Sequence, residues 1–173
     1  MKKILFILML LPSLLLQAQK IEKDIFDEFT KQRTIYTSWV KVDKGYMNLR
    51  FKSIGDNTYL EYRYQSNCVI AIEKNAELLF IDSSSNVHKL VNSEYAIANV
   101  GGGATGFAGS KGLGIRANYL GNISFFANNL KKMRIYTTDG YLDRNINTKE
   151  SDKLKKLYNL FIETLSGECT NKK

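Results

Sequence analysis

Residues 133–167 read MRIYTTDGYLDRNINTKESDKLKKLYNLFIETLSG. Two β-prone arms, Met133 to Thr138 and Tyr141 to Ile146, flank Asp139-Gly140, a pair suited to a two-residue type I′ hairpin turn. Directly afterwards, Asn147 and Glu150 stand at capping-box spacing. Leu154, Leu157, Tyr158, Phe161 and Leu165 then recur with helical period, and Gly167 ends the pattern. A helix with one apolar stripe needs a second layer to bury it. This stretch therefore predicts an α+β fold: a mainly antiparallel β sheet, curved or partly closed, with the C-terminal helix packed on it.

Upstream, the chain is strand-rich. Arg33 to Val42 (RTIYTSWVKV) alternates as one strand, with Ile35, Thr37 and Trp39 on one face and Tyr36, Ser38 and Val40 on the other. On that register Trp39, the only tryptophan, anchors the core. Tyr46–Ser53 and Thr58–Gln65 form a hairpin around Ile54-Gly55-Asp56-Asn57. Its second arm sets Leu60, Tyr62 and Tyr64 against a polar face of Tyr59, Glu61, Arg63 and Gln65. Cys68–Glu73, Glu77–Ile81, Val87–Val91, Tyr95–Val100 and Leu113–Tyr119 are further strands. Ile123–Leu130 is expected as a short helix with Phe125, Phe126 and Leu130 facing inward. Ile21–Gln32 is expected as a strand or a helical turn followed by a polar reversal.

Seven of the twelve glycines fall between Gly101 and Gly114. Gly101, Gly103 and Gly106 match G-x-G-x-x-G, but that fingerprint needs a helix opening near its third glycine. Gly109, Gly112 and Gly114 oppose one, at about 1 kcal/mol each relative to alanine. As a P-loop the run fails too, because Ser110 and Gly112 flank Lys111 where Gly and Ser or Thr are required. The run reads as a long glycine-rich connection or bulged hairpin between strands, anchored by Phe107, and implies no cofactor.

The ends and the charge set the setting. Lys2 and Lys3 precede an apolar run from Ile4 to Leu16 and a small residue at Ala18, the pattern of a secretory signal peptide over residues 1–18. Residues 19–173 are then expected as one exported domain with a disordered tail from about 167 and no membrane span. Losing Lys2 and Lys3 lowers the formal charge from +8 to +6. The remaining cations are scattered in sequence, and the Lys153, Lys155, Lys156 group reads as a solvated helix face rather than a nucleic-acid surface. Cys68 and Cys169 have the compartment for a disulfide, but Cys169 sits in a polar tail, and an unpaired, buried Cys68 is the favoured reading.

Three stretches carry a resemblance. DEFTKQRTIYTSW (Asp27–Trp39), GFAGSKGLGIR (Gly106–Arg116) and RIYTTDGYLD (Arg134–Asp143) resemble recurring features of small exported uncharacterised proteins of the Bacteroidota. That resemblance implies export and a single fold unit, and brings no activity. The sequence departs from it at Lys31, where glycine often follows DEFT.

No catalytic constellation emerges. His88 is the sole histidine, and no nucleophile motif accompanies it. One histidine and two distant cysteines give no zinc spacing. Asp143, Asn145 and Asn147 have calcium-loop spacing, but Thr148 and Leu154 replace its glycine and its bidentate glutamate. Binding is the reading that survives, with Phe107, Lys111, Arg116, Tyr136 and Tyr141 as candidate contacts and an envelope protein or polymer as partner. The alternatives are a carboxylate-dependent glycan hydrolase using Asp139 and Asp143, or an inhibitor of a secreted enzyme presented on the glycine loop.

Overall fold

The computed structural model describes residues 19–42, 47–66, 69–100 and 113–167. The strands are β1 (Ile21–Asp27), β2 (Gln32–Thr37), β3 (Val40–Val42), β4 (Met47–Ile54), β5 (Asn57–Ser66), β6 (Ala71–Ile72), β7 (Glu77–Asp82), β8 (Val87–Asn92), β9 (Ala96–Ile97), β10 (Asn99–Val100), β11 (Leu113–Leu120), β12 (Leu130–Thr137) and β13 (Gly140–Asn145). Among the described residues one α-helix, α1, covers Thr148–Ser166. The main sheet is antiparallel and open, in the order β1-β2-β4-β5-β11-β8-β7-β12-β13, with β3 paired to β4 and β10 to β11. β6 and β9 form a separate two-stranded sheet. The expected fold class is therefore the observed one. No helix among the described residues is long and apolar enough to cross a membrane.

β11 joins the two halves of the sheet unequally. It pairs with β5 along its whole length, from Leu113↔Ser66 to Leu120↔Tyr59. With β8 it shares only Tyr119↔Asn92 and Leu120↔Val91. At its start it pairs with β10, Asn99↔Gly114 and Val100↔Leu113. The glycine run thus connects two antiparallel strands, and residues 101–112 themselves lie outside the described residues.

Alternation sends one face of each strand to a single core. Met47, Leu49 and Phe51 of β4, Leu60 and Tyr62 of β5, and Ile115, Ala117 and Tyr119 of β11 are all buried. Helix α1 closes that inner face with Leu154, Leu157 and Phe161 buried, and with Tyr158 and Leu165 packed against the core. Its start is the predicted capping box: Glu150 N–H donates to Asn147 Oδ1 (2.9 Å) and Asn147 N–H to Glu150 Oε2 (3.1 Å). Leu130 N–H donates to the buried Ser151 Oγ at 2.8 Å, pinning the first turn to β12.

The helix C-terminus carries no basic residue of its own. Arg33 of β2 supplies the cation instead, donating from NH1 to Gly167 O (2.6 Å) and from NH2 to Thr164 O (3.1 Å). Asp24 of β1 fixes the same guanidinium with two bonds of 2.8 Å. One side chain thereby ties the sheet edge to orphan carbonyls at the negative end of the helix dipole. Arg33→Ala is expected to cost about 2 kcal/mol, read from the urea midpoint, with faster amide exchange confined to the last turn of α1.

Four local expectations need correction. The predicted helix Ile123–Leu130 is only a 3₁₀ turn, Ser124–Ala127, because Asn128 is already extended and Leu130 opens β12; Phe125 and Phe126 still face inward. In the 133–146 hairpin the paired ends are Thr137↔Gly140, so Thr138 and Asp139 form the turn. Gly140 has φ 113° and Asp139 is not positive, which fits a type I turn with a glycine bulge rather than type I′. Of the stretch Cys68–Glu73 the described residues form only the short β6, paired with β9 rather than with its sequence neighbour β7, while Cys68 and Cys169 fall outside the described residues. The single strand predicted over Arg33–Val42 is interrupted at Ser38-Trp39. In contrast, Ile21–Asp27 is a strand, and Lys31 takes φ 56° in the turn after it, the left-handed conformation that favours glycine.

Candidate functional site

The interruption at Ser38-Trp39 builds the site. Tyr36 pairs with Lys52 and Val40 with Leu49, so three residues on the β2–β3 side face two on β4. One extra residue in the ladder is a β-bulge, which re-aims the side chains beyond it. Thr37 fills the gap in hydrogen bonding: its buried Oγ1 accepts from Phe51 N–H (2.9 Å) and donates to Phe51 O (3.2 Å). As a result Val40 and Val42 turn into the core with Ile35 and Thr37, and Trp39 turns out beside Tyr36. The expectation of a core tryptophan fails for this reason.

Outward, the two rings meet a set of cations that sequence separates and strand register gathers. Asn48, Arg50 and Lys52 of β4 stand opposite Arg63, Glu61 and Tyr59 of β5. Arg63 and Glu61 stand opposite Arg116 and Asn118 of β11. The Arg50 guanidinium carbon lies 4.5 Å from the Tyr36 ring centre and 4.4 Å from that of Trp39. Arg63 lies 4.0 Å and Arg116 5.9 Å from Trp39. The Lys23 and Lys52 ammonium groups approach Tyr36 at 5.4 and 5.7 Å. Guanidinium stacking on a ring holds the planar fork in place and leaves its edge N–H groups to face a partner.

Glu61 is the counter-ion at the centre, 2% exposed. Its Oε2 bonds Arg50 Nε, and its Oε1 lies 2.5 Å from Arg116 Nε. Glu22, at 3.7 Å from Arg50, adds a looser negative charge from β1. Among the described residues positive charge exceeds negative here, and Arg63 stands opposite Arg116 in the ladder, an arrangement of like charges that costs stability in a sheet. Burial, and after it the Arg116 and Arg50 charges, lower the pKa of the Arg63 guanidinium. Burial is also the largest cause lowering that of Lys52. Both directions mark cations crowded together on a surface partly shielded from water.

Of the contacts named from sequence, Arg116 belongs to this cluster. Phe107 and Lys111 lie outside the described residues. Tyr136 and Tyr141 form a cross-strand pair with ring centres 6.2 Å apart on β12 and β13. Arg134 stacks on Tyr141 at 4.0 Å, and neither tyrosine fills the core. The strand order puts β8 and β7 between β11 and β12, so the pair stands three strand spacings from Arg116, about 14 Å along the sheet. It borders a shallow groove of about 230 Å³ lined by Leu79, Ile81, Val87, Met133 and the Lys132–Asp143–Arg134 ion pairs.

Asp143, one of the two carboxylates of the hydrolase reading, is held in ion pairs. Asp143 accepts from Arg134 Nε (2.6 Å) and NH2 (2.8 Å) and from Lys132 at 2.7 Å, and these cations, Arg134 first, hold its carboxyl well below the usual range. A glycosidase acid needs the opposite shift. Asp27 and Asp82 are also displaced downward. His88 Nε2 meets Asp82 Oδ2 at 3.0 Å, while Asp82 also accepts from Ser84 N–H, Asn86 N–H and Asn86 Nδ2, so the pair closes the Asp82–Asn86 turn. The His88 ring stacks on Phe125 at 4.5 Å, and no hydroxyl among the described residues hydrogen-bonds to it. Asn147 is spent on the helix cap, and among the described residues no group of three His, Cys, Asp or Glu is placed to hold a metal ion. Comparison with family models, with curated proteins and with solved structures finds no match for this chain.

Proposed function

We propose that the chain is an exported, non-enzymatic binding domain whose outer sheet face takes an anionic polymer of the cell envelope, one bearing carboxylate, phosphate or sulfate groups. The observation that carries this reading is the cluster of Arg50, Arg63 and Arg116 stacked about Trp39 around a single buried carboxylate, Glu61. Guanidinium forks suit bidentate pairing with carboxylate, phosphate and sulfate oxygens. Stacking on Trp39 and Tyr36 pre-orders the arginines, so less rotamer freedom is lost on binding. Bound negative charge would also relieve the Arg63–Arg116 opposition. From Lys23 on β1 to Arg116 on β11 the cations span four strand spacings, about 19 Å, which fits several repeats of a polymer better than one small ion. The tryptophan ring is covered by guanidinium groups instead of standing open to stack a nucleobase.

Trp39, the only tryptophan, reports on its own site. Titration with polygalacturonate, polyphosphate and heparin is expected to change its emission, with affinity falling as salt rises, while neutral dextran has no effect. The double variant Arg63→Ala/Arg116→Ala is expected to weaken binding roughly 100-fold with the circular dichroism spectrum retained, at about tenfold per charge-assisted contact. A folded double variant that binds as tightly as the parent would end the proposal, as would a parent that ignores all three polyanions. Tighter binding of single-stranded RNA than of any envelope polymer would move the assignment to nucleic acid.

A further inference from the structure

We infer that two copies of this chain pair edge to edge through β1, continuing the antiparallel sheet across a twofold axis at Ile25. Among the described residues β1 pairs only with β2, and no described strand covers its other edge. Apolar side chains gather there: Ile25 is 44% exposed, Phe26 43%, and Phe29, in the following turn, 99%. The contacts of β1 fix its two faces. Lys23 lies over Tyr36 on the outer face, and Asp24 bonds Arg33 on the helix side, so Lys23, Ile25 and Asp27 point out while Asp24 and Phe26 point in.

A twofold axis through Ile25 sets Ile25 against itself, Lys23 of each copy against Asp27 of the other, and Asp24 against Phe26. Two Lys–Asp pairs thus flank an apolar contact on the outer face, the kind of cross-strand pairing that stabilises a sheet. Asp27 is prepared for this. Its Oδ1 accepts from Phe29 N–H (2.8 Å) and Thr30 N–H (3.1 Å), which fixes the carboxylate at the end of the edge. Ile21 comes opposite Phe29. Glu22 comes opposite Glu28, the unfavourable match, although Glu22 already leans toward Arg50. The two-residue slips that keep outer faces together set Asp24 against itself or against Glu28. Charge therefore selects one register, and with it a second copy as the occupant of this edge. The pairing also places two arginine clusters on one continuous face.

Sedimentation of the purified protein is expected to show a concentration-dependent monomer–dimer equilibrium. Ile25→Lys, which puts two ammonium groups on the axis, is expected to weaken it roughly tenfold or more. Opposed residues in an antiparallel ladder have Cα atoms about 4.5–5.5 Å apart, within disulfide reach. Ile25→Cys, in a chain with Cys68 and Cys169 changed to serine, should therefore cross-link to a covalent dimer under mild oxidation, far faster than Phe29→Cys. Sedimentation as a monomer at every concentration would overturn the inference. So would a dimer in which the two cysteine variants cross-link at equal rates, a result independent of whether Ile25→Lys folds.

Discussion

Glu61→Gln is expected to destabilise the domain by about 3–5 kcal/mol, because removing one partner of a buried ion pair strands the other. Glutamine keeps the shape of the side chain, so the loss is not that of a cavity. What changes is charge: the Arg50 side chain is 11% exposed, and it and Arg116 share Glu61, with only the more exposed Glu22 at 3.7 Å from Arg50 besides. Without it three guanidinium groups face one another around Trp39. The same substitution should strengthen polyanion binding, since the ligand then supplies the missing negative charge. Stability and affinity are thus expected to move in opposite directions, which a simply misfolded variant would not do. Urea unfolding with and without polygalacturonate checks both, and saturating polymer at about 100 times its dissociation constant should restore roughly 2.7 kcal/mol. A loss under about 0.5 kcal/mol, the range of ordinary surface substitutions, would remove Glu61 from the centre of the site.

Much of this fold is legible in short-range sequence signals. The cap at Asn147 and Glu150 and the stripe from Leu154 to Leu165 are contained within one helix, and the structure reproduces them. The Tyr46–Gln65 hairpin is equally local, and its turn at Gly55 already implies the pairing of Arg50 with Glu61. The arginine face needed two things that local patterns lack. One is the placement of β11 beside β5, which brings in Arg116 from more than fifty residues away and has no sequence signature. The other is the bulge at Ser38-Trp39. Strict alternation assigns Trp39 to the core, and only the ladder on β4 reveals that one residue is extra. Cations scattered along the chain therefore suggested a merely solvated surface, whereas register concentrates them. At Asp139-Gly140 a turn is legible, but its central residues are Thr138 and Asp139, because Gly140 supplies the positive φ from the first paired position of β13. Phe107 and Lys111 stand in the stretch outside the described residues, so the part of the glycine run that bears on binding is its exit into β11 at Arg116.

Phe51→Ala is expected to cost about 3–5 kcal/mol, the range for deleting a fully buried aromatic ring. Phe51 is completely buried and lies where sheet, 3₁₀ turn and helix meet. Its ring centre is 5.0 Å from Phe126, edge to face, 5.5 Å from Phe161 and 5.7 Å from Tyr158. Two of those three partners belong to α1, so the vacated space falls under the helix. Local collapse into it is hindered from the sheet side, where the backbone of Phe51 is held by Thr37 Oγ1. The melting midpoint should fall by roughly 6–20 °C for a chain of this size. Because the helix side of the void is the more easily rearranged, proteolysis and amide exchange should increase first in α1 and only later in β4 and β5. Val69→Ala, at an exposed position away from both the outer face and the β1 edge, is the control and should change stability by no more than about 0.5 kcal/mol. A variant that loses less than about 1 kcal/mol, with exchange in α1 unchanged, would mean that the helix does not depend on this contact, and the packing that orders the outer face from behind would need another account.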